Sequence, residues 1–488
     1  MAPLLFKYRG NIRFILIAFS ILISSCEKDL KSVVFDRFST DNFFKTPADA
    51  IAAVTATYRG MRMNFPADVN NSPYTANSGL QAGELVSTSA GGKIDMLLDF
   101  REDNITLTNF YLLEMPVITE ATINIDKISR MTIDNVLKER LIAELKGLRA
   151  HYSQMLFNMY GPVPVRIDPV EAQNPSATPL PRPSTAEMVA QIEKDYKEAA
   201  AVLPAKFTGT DYGRFSKTAC LTGLMKLYMH EKRWQDAITT GRQIMGLGYN
   251  LIPNYADNFS YSSKGGNSEI ILAVPALSDV NSNRWLAWVL PPSYYNPAII
   301  AIEGFFYMPW KNYDKFDQND KRLERLLAKW PTTGGGTIDG RAKGYLGAVP
   351  MKYGIDPTSR SWDQGIDIIV WRYADVLLLL AEAINETQGP SPETYSLINT
   401  VRNRAGLNSY PDGAFTKDQF KAKLMDERFF ELWSEDAIRK EDLIRWGTFI
   451  QDAITRGSTT AKPEFVLYPL PRRVLSESGG LIKQNPGY

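Results

Sequence analysis

The run "IDNVLKERLIAELKGLRAHYSQMLFNMYGPVPV", residues 133–165, repeats Leu137, Leu141, Leu145, Leu148, Tyr152 and Met155 at steps of three and four, then stops at Gly161-Pro162. Apolar residues at that period predict one long amphipathic helix with a hard end. A stripe of that length has to be covered by other helices, and the chain supplies them. "TPADAIAAVTATYRGMRMNF" offers Thr46 as an N-cap and Pro47 at the first helical position. The connector "NPSATPLPRPS", with four prolines in eleven residues, should be extended and stiff. Beyond it come "TAEMVAQIEKDYKEAAAVLP", "KTACLTGLMKLYMHEK" and "RWQDAITTGRQIMGLG".

The last two segments form a predicted helix pair with tetratricopeptide spacing. Leu224, Tyr228 and Ala237 stand four and then nine residues apart, with small Ala237 letting the second helix approach the first. A second pair, "RYADVLLLLAEAINE" and "SPETYSLINTVRNRAG", follows much later, and a third runs from Lys417 to Ile454. The fold class expected is therefore mainly α, a tetratricopeptide-type helical superhelix. Helical repeats are placed at about 40–250 and 371–455, and a long irregular insert, rich in Gly, Pro, Ser and aromatics, at about 251–370.

The N-terminus carries Lys7, Arg9 and Arg13 and no acid, then runs apolar from Phe14 to Ile23 apart from Ser20. That is a signal-peptide pattern, too short for a stable bilayer span. Ile23-Ser24-Ser25 before Cys26 resembles a bacterial lipobox, and the following "CEKD" resembles a surface-export signal. Residues 1–25 are thus expected to be removed, and Cys26 to be the lipidation site at the head of a single domain, 26–488. Their removal leaves 463 residues and turns the formal charge from +1 to −2. No basic excess remains to suggest nucleic acid as a partner. Cys220 then has no disulfide partner, and its apolar helical setting predicts a buried, inert thiol. The only histidines, His151 and His230, form no zinc-binding array, and nothing like GxSxG flanks a serine.

Six blocks in order resemble the SusD/RagB family of surface lipoproteins. They are "DNFFKTPADAIAAVTATYRG", "GLRAHYSQMLFNMYGPVPV", "LPRPSTAEMVAQIEKDYKEAAAVLP", "RYADVLLLLAEAINE", "DERFFELWSEDAIRKEDLIRWG" and the terminal "YPLPRRVLSESGGLIKQNPGY". One departure shows. Where the family commonly has Glu-Gly-x-Arg, this chain has Glu435-Asp436-Ala437-Ile438-Arg439, longer by one and without the glycine. The resemblance implies an outer-membrane, lipid-anchored, surface-exposed receptor. Such a receptor binds glycan without cleaving it and delivers it to a TonB-dependent, SusC-like transporter. The alternatives are a peptide-binding, RagB-like receptor and, from a different class, a glycoside hydrolase.

The hydrolase alternative would draw on Glu427, Glu431 and Glu435, four residues apart on one helix face. A glycosidase needs carboxylates on both sides of a sugar, and a single stripe presents one side. Arg428 and Arg439 stand at helix ion-pair spacing from Glu431 and Glu435, so the expectation is structural ion pairing with no catalytic residue.

Ligand chemistry is expected in the insert. "NRWLAWVLPPSYYNP" and "EGFFYMPWKNYDKF" hold Trp285, Trp288, Tyr294, Tyr295, Phe305, Phe306, Tyr307, Trp310 and Tyr313. Aromatic faces suit the C–H face of a pyranose, and the family binds glycan on an aromatic arc of such loops. The candidate ligand residues are Trp285 and Trp288, flanked by Asn281, Asn283 and Arg284, with Tyr294, Tyr295, Trp310 and, in "NNSPYTANSG", Tyr74. No cofactor or metal ligand is assigned, and a structural calcium is left open.

Overall fold

A computed structural model describes residues 43–64, 74–174, 176–297, 299, 304–359 and 361–488. The signal segment and Cys26 lie outside the described residues, as does the side chain of Tyr74. The principal helices are α1 (Pro47–Thr57), α2 (Ile105–Ser129), α3 (Asn135–Tyr160), α4 (Thr185–Val202), α5 (Lys217–His230), α6 (Trp234–Met245), α7 (Tyr373–Gln388), α8 (Pro392–Arg404), α9 (Lys417–Leu432) and α10 (Ile438–Arg445).

Helix starts follow the sequence signals. Thr46 closes a capping box with Asp49 ahead of Pro47, and Ser184 does the same with Glu187 after the proline-rich connector. Gly161, at φ 71°, ends α3 in a conformation that a side chain resists. The α3 stripe is buried as the period requires, with Leu141, Leu145, Leu148 and Tyr152 fully enclosed. Arg149 is buried with it, donating to both Asp195 oxygens on α4 at 2.7 and 2.8 Å and to Thr122 on α2 at 3.0 Å.

The helices pack in series, α2 on α3, α3 on α4, α4 on α5, α5 on α6. The series then continues from α6 directly to α7, although more than a hundred residues separate them in the chain. Gly241 makes this approach feasible, because a Cβ there would meet Met225 Cε at 2.9 Å and Leu380 Cδ1 at 3.2 Å. Tyr228 and Ala237 are buried in the α5–α6 pair as the repeat spacing predicts. The fold is the helical superhelix expected.

The insert is less irregular than its composition suggests. Strand β2 (Ile270–Val274) pairs antiparallel with β8 (Ile368–Arg372), joining the two ends of the insert. A second sheet runs in the order β1-β3-β7-β4, from Val86–Ser87, Phe306–Pro309, Gly347–Pro350 and Leu326–Leu327, so the N-terminal region supplies its edge strand. Between β4 and β7, β5 (Lys329–Pro331) and β6 (Thr337–Asp339) form a hairpin. Strands of two to five residues are too short to show a readable period, which is why sequence reasoning left this region as loop.

The carboxylate stripe is structural, but its partners differ from those expected. Arg372 donates to Glu269 at 2.8 Å, to both Glu435 oxygens at 2.7 and 2.8 Å, and also to Glu431. Arg404 reaches Glu269 at 3.1 Å and Glu431 as well. Arg322 pairs with Asp320, Glu427 and Glu431, Arg402 with Glu427, and Lys352 with Glu435. Arg428 does not serve Glu431; it pairs with Asp375 and Asp442. Arg439 has no carboxylate within ion-pair distance among the described residues. The reason is that Glu435 lies beyond the end of α9, where Ser434 and Asp436 turn the chain through φ 52° and 48°. Asp436 thus takes a left-handed conformation at the position where the family pattern has glycine, a conformation Asp tolerates better than most residues.

The isolated reactive groups are inert. Cys220 is fully buried, and burial pushes its thiol up. His151, edge-on to Trp371 at 5.0 Å, is driven by burial down to about 3 and stays neutral. His230 touches Glu231 at 2.8 Å.

Two predictions follow from the buried charges. Burial alone would raise the Glu431 carboxyl, but Arg404, Arg372 and Arg322 outweigh it and hold it well below the carboxylate range. Glu431→Gln leaves these guanidiniums under-compensated and should cost about 3–5 kcal/mol, read as a lowered urea midpoint; a change within 0.5 kcal/mol on the order of a surface substitution would contradict it. Glu84, which accepts from Ser434 N at 3.2 Å, is instead pushed up to about 7 by burial, against the pull of Arg439. Its folded pKa exceeds the unfolded one, so its stabilising contribution is complete below about pH 4.3 and is lost as pH rises through about 7. Glu84→Gln abolishes that titration and should gain on the parent by roughly 2–3 kcal/mol between pH 5 and 8. Equal differences at both pH values would count against it.

Candidate functional site

The candidate aromatics do not form one surface. Trp285 is 1% exposed; its Nε1 donates to Pro350 O at 2.7 Å and its backbone N to Asn283 Oδ1 at 3.0 Å. It is a core residue of the insert, and the reading of it as a ligand contact is corrected. Five-residue helix Trp285–Val289 has room for one outward side, and Trp288 takes it, half-buried and stacked on Phe305 at 5.7 Å. Trp310 is half-buried, its Nε1 held by Tyr345 O at 2.8 Å and its ring covered by the Arg341 guanidinium at 4.3 Å. Tyr294 is half-buried in a bridge with Thr332, while Tyr295 is 48% exposed. Phe306 and Tyr307 are strand residues facing the core.

Sequence reasoning missed Trp362, which is 38% exposed. It stands alone among polar residues in "TSRSWDQG", and a lone aromatic in a polar loop is the signal that would have found it. The loop is rigidly built. Asp363 accepts from Arg284 Nε and Ser282 Oγ, both at 2.6 Å, and Asn283 and Gln364 exchange backbone bonds at 2.8 and 3.1 Å. Asn283 and Arg284 are therefore positioning residues for this loop.

The segment Asn281–Arg284 leads back into a cleft of about 520 Å³ between α1 and the turn after it, the Thr210–Arg214 loop, and the end of β2 with the following turn. None of the predicted aromatics lines it; Asn281 does. The turn is closed by reciprocal Leu277–Asn281 backbone bonds at 3.0 and 2.9 Å, which push Val280 out to 80% exposure at the cleft mouth. The floor is polar and charge-balanced. Arg214 meets Glu144 at 3.0 Å and Asp211 at 2.7 Å, Arg59 pairs with Glu120, and Tyr58 OH donates to Glu144 at 3.0 Å. With its cations matched and Tyr58, Tyr212, Met61 and Pro275 on the walls, the cleft suits a neutral ligand with hydroxyls and apolar faces.

Comparison with known proteins decides the family. The model described as "SusD family" matches residues 323–456, and the one described as "Starch-binding associating with outer membrane" matches residues 98–229. SusD-like protein P25 of Formosa agariphila is 23% identical, with 99% of this chain and 100% of that protein aligned. The chain is a SusD-like protein.

Among solved structures, this SusD-like chain is similar to a laminarin binding SusD-like protein, at TM-score 0.74 and 24% identity, covering 91% of this chain and 100% of that one. A SusD superfamily protein from Parabacteroides distasonis superposes at TM-score 0.76 with 18% identity, covering 93% and 100%. Surface glycan-binding protein A from Bacteroides thetaiotaomicron, in complex with laminarihexaose, gives 0.73 at 17%, covering 90% and 99%. These likenesses establish the fold. The SusD-like family is non-catalytic, and no enzymatic activity is assigned to this chain. Among the described residues no group of three or more His, Cys, Asp or Glu is placed to hold a metal ion, and no helix is long and apolar enough to cross a membrane.

Trp285→Ala separates core from site. It should destabilise the protein by about 3–5 kcal/mol, seen in thermal unfolding. A variant as stable as the parent would return Trp285 to the list of ligand contacts.

Proposed function

We propose that this protein captures a neutral oligosaccharide at the cell surface and delivers it to a SusC-like, TonB-dependent transporter. The observation that carries the reading is the charge-balanced cleft on a SusD-like scaffold, whose lining residue Asn281 precedes Ser282, the donor to Asp363 next to the exposed Trp362. SusD-like relatives whose names specify laminarin or laminarihexaose support the glycan class. The family description "associating with outer membrane" supports the location. Lipidation at Cys26 is part of the same proposal and rests on the sequence pattern.

Trp288, Tyr294, Tyr295 and Trp310 remain proposed contacts, with Tyr295 ahead of the others because its ring is already open to solvent. Calorimetry against a panel of neutral oligosaccharides, laminarihexaose included, should find a ligand, and Trp362→Ala or Tyr295→Ala should weaken it by roughly 1–3 kcal/mol without unfolding the protein. Binding of peptides in place of any glycan would move the reading to a peptide receptor. Shortening of the oligosaccharide by pure protein would return it to an enzyme. For the partner, affinity purification from solubilised outer membrane should recover a β-barrel protein, and Cys26→Ala should abolish fatty-acid labelling. Recovery of the chain alone, or undiminished label, would overturn those parts.

A further inference from the structure

A second cleft, of about 400 Å³, opens on Ala82–Gly83, Val86 and Met96–Leu97, the helical turn Trp310–Tyr313, and α9 with the helix Phe449–Thr455. Its charge is the opposite of balanced. Lys311, Lys315, Arg439 and Arg456 line it, against the single carboxylate of Asp452. Asp452 is already committed to Arg456 at 2.7 Å, and Arg456 spends its remaining donors on the carbonyls of Gln81 at 2.6 Å and Met96 at 2.7 Å. That leaves Lys311, Lys315 and Arg439, none of which has a carboxylate within ion-pair distance among the described residues.

Phe429 gathers two of the three. Lys315 Nζ stands 5.5 Å and Arg439 Cζ 5.4 Å from the centroid of its ring. Partial burial of its amine, and then repulsion by Arg439 and Lys311, draw Lys315 below its ordinary value although Asp426 and Asp452 pull the other way. Cations crowded at a concave surface without counter-charge concentrate anions there. Apart from one long bond of 3.5 Å from Arg439 to Met425 O, their donors are free of carboxylates: lysine carries three and arginine five in a planar fork suited to oxyanions. Half-buried Met96 and Pro309 add apolar wall beside the cations, above the buried Phe429, which a bare inorganic ion would leave unused and the ring of a sugar would cover.

We propose that this cleft is a binding site for an acidic saccharide, with a carboxylate or sulfate ester held by Lys311, Lys315 and Arg439. The saccharide part rests on the glycan-binding reading above; the demand for an anion does not. The protein would then carry two sites of different charge preference, one for neutral and one for acidic sugar.

Calorimetry at low ionic strength with digalacturonate, a sulfated disaccharide, neutral galactobiose and sodium sulfate tests the assignment. Digalacturonate or the sulfated sugar should bind, whichever is tighter naming the oxyanion, and binding should weaken as salt rises. Lys311→Gln with Lys315→Gln should lose about tenfold or more in affinity, as expected when charge-assisted bonds are removed. Because both lysines are exposed, the double variant should melt like the parent, and Arg439→Gln provides an independent second variant. Galactobiose binding as well as the acidic sugars, or unchanged affinity in the lysine variant, would overturn the site. Sulfate or an oligo-aspartate peptide binding more tightly than either acidic sugar would overturn the saccharide assignment. The lysine variant should leave neutral-oligosaccharide binding unchanged, so the failure of one site can be told from the failure of the other.

Discussion

The insert and the helical scaffold are held to each other by one buried charge cluster centred on Arg372. Its guanidinium sits where β8 becomes α7 and engages Glu269 just before β2, together with Glu431 and Glu435 at the end of α9. Arg404, at the last turn of α8, shares Glu269 and Glu431. Asp320, Glu269, Glu427, Glu431 and Glu435 face Arg322, Arg372, Arg402, Arg404 and Lys352, so acids and bases are matched in number. Such a cluster adds little net stability over a well-packed apolar one, because each ion gives up hydration. What it supplies is direction: a guanidinium with every nitrogen bonded fixes the angle at which the strand pair meets the helices. Lys352 shows the strain of the arrangement, since burial draws its amine down to about 8 despite Glu435 at 2.7 Å.

Much of the scaffold was legible because helical periodicity and capping are local. Thr46, Pro47, Ser184 and Gly161 mark ends through bonds and torsions within one turn, and Leu224, Tyr228 and Ala237 report a contact between neighbours in sequence. The ionic role of Glu427, Glu431 and Glu435 was legible for a similar reason, while their partners were not. Arg322, Arg372 and Arg404 reach them across 27 to 109 residues, a relation that no spacing rule contains. Trp285 illustrates the same limit for the site. Aromatic density locates the insert's core and its surface alike, and only the Pro350 carbonyl, 65 positions away, tells which of the two Trp285 joined.

The two clefts differ in how their cations are spent. In the first, Arg59 and Arg214 are answered by Glu120, Glu144 and Asp211, leaving shape and hydroxyl chemistry to select the ligand. In the second, Lys311, Lys315 and Arg439 have no carboxylate in ion-pair reach among the described residues, the last two of them beside Phe429. A neutral cleft loses little affinity in salt, whereas a cationic one is sensitive to it, so ionic strength alone can shift the balance between them.

The pairing of β2 with β8 has a consequence for how such a receptor changes over time. Val274 opposite Ile368 and Ile270 opposite Arg372 make the two ends of the insert a stem, its register shifted between Ile270 and Ala273, at the start of α7. The turns between the intervening strands close on a stem already formed, and lengthening a closed loop is cheap, about 0.6 kcal/mol for each doubling. The turns at 277–281 and 332–336 can therefore be lengthened or shortened without disturbing the helix-to-helix packing, whereas Arg322 and Lys352, bound to α9 and its C-terminal turn, and β3, paired with β1, have to stay. The insert is thus variable at its turns and fixed at its charged and paired segments, and a graft cut at Val274 and Ile368 would have to bring Glu427, Glu431 and Glu435 of the scaffold with it.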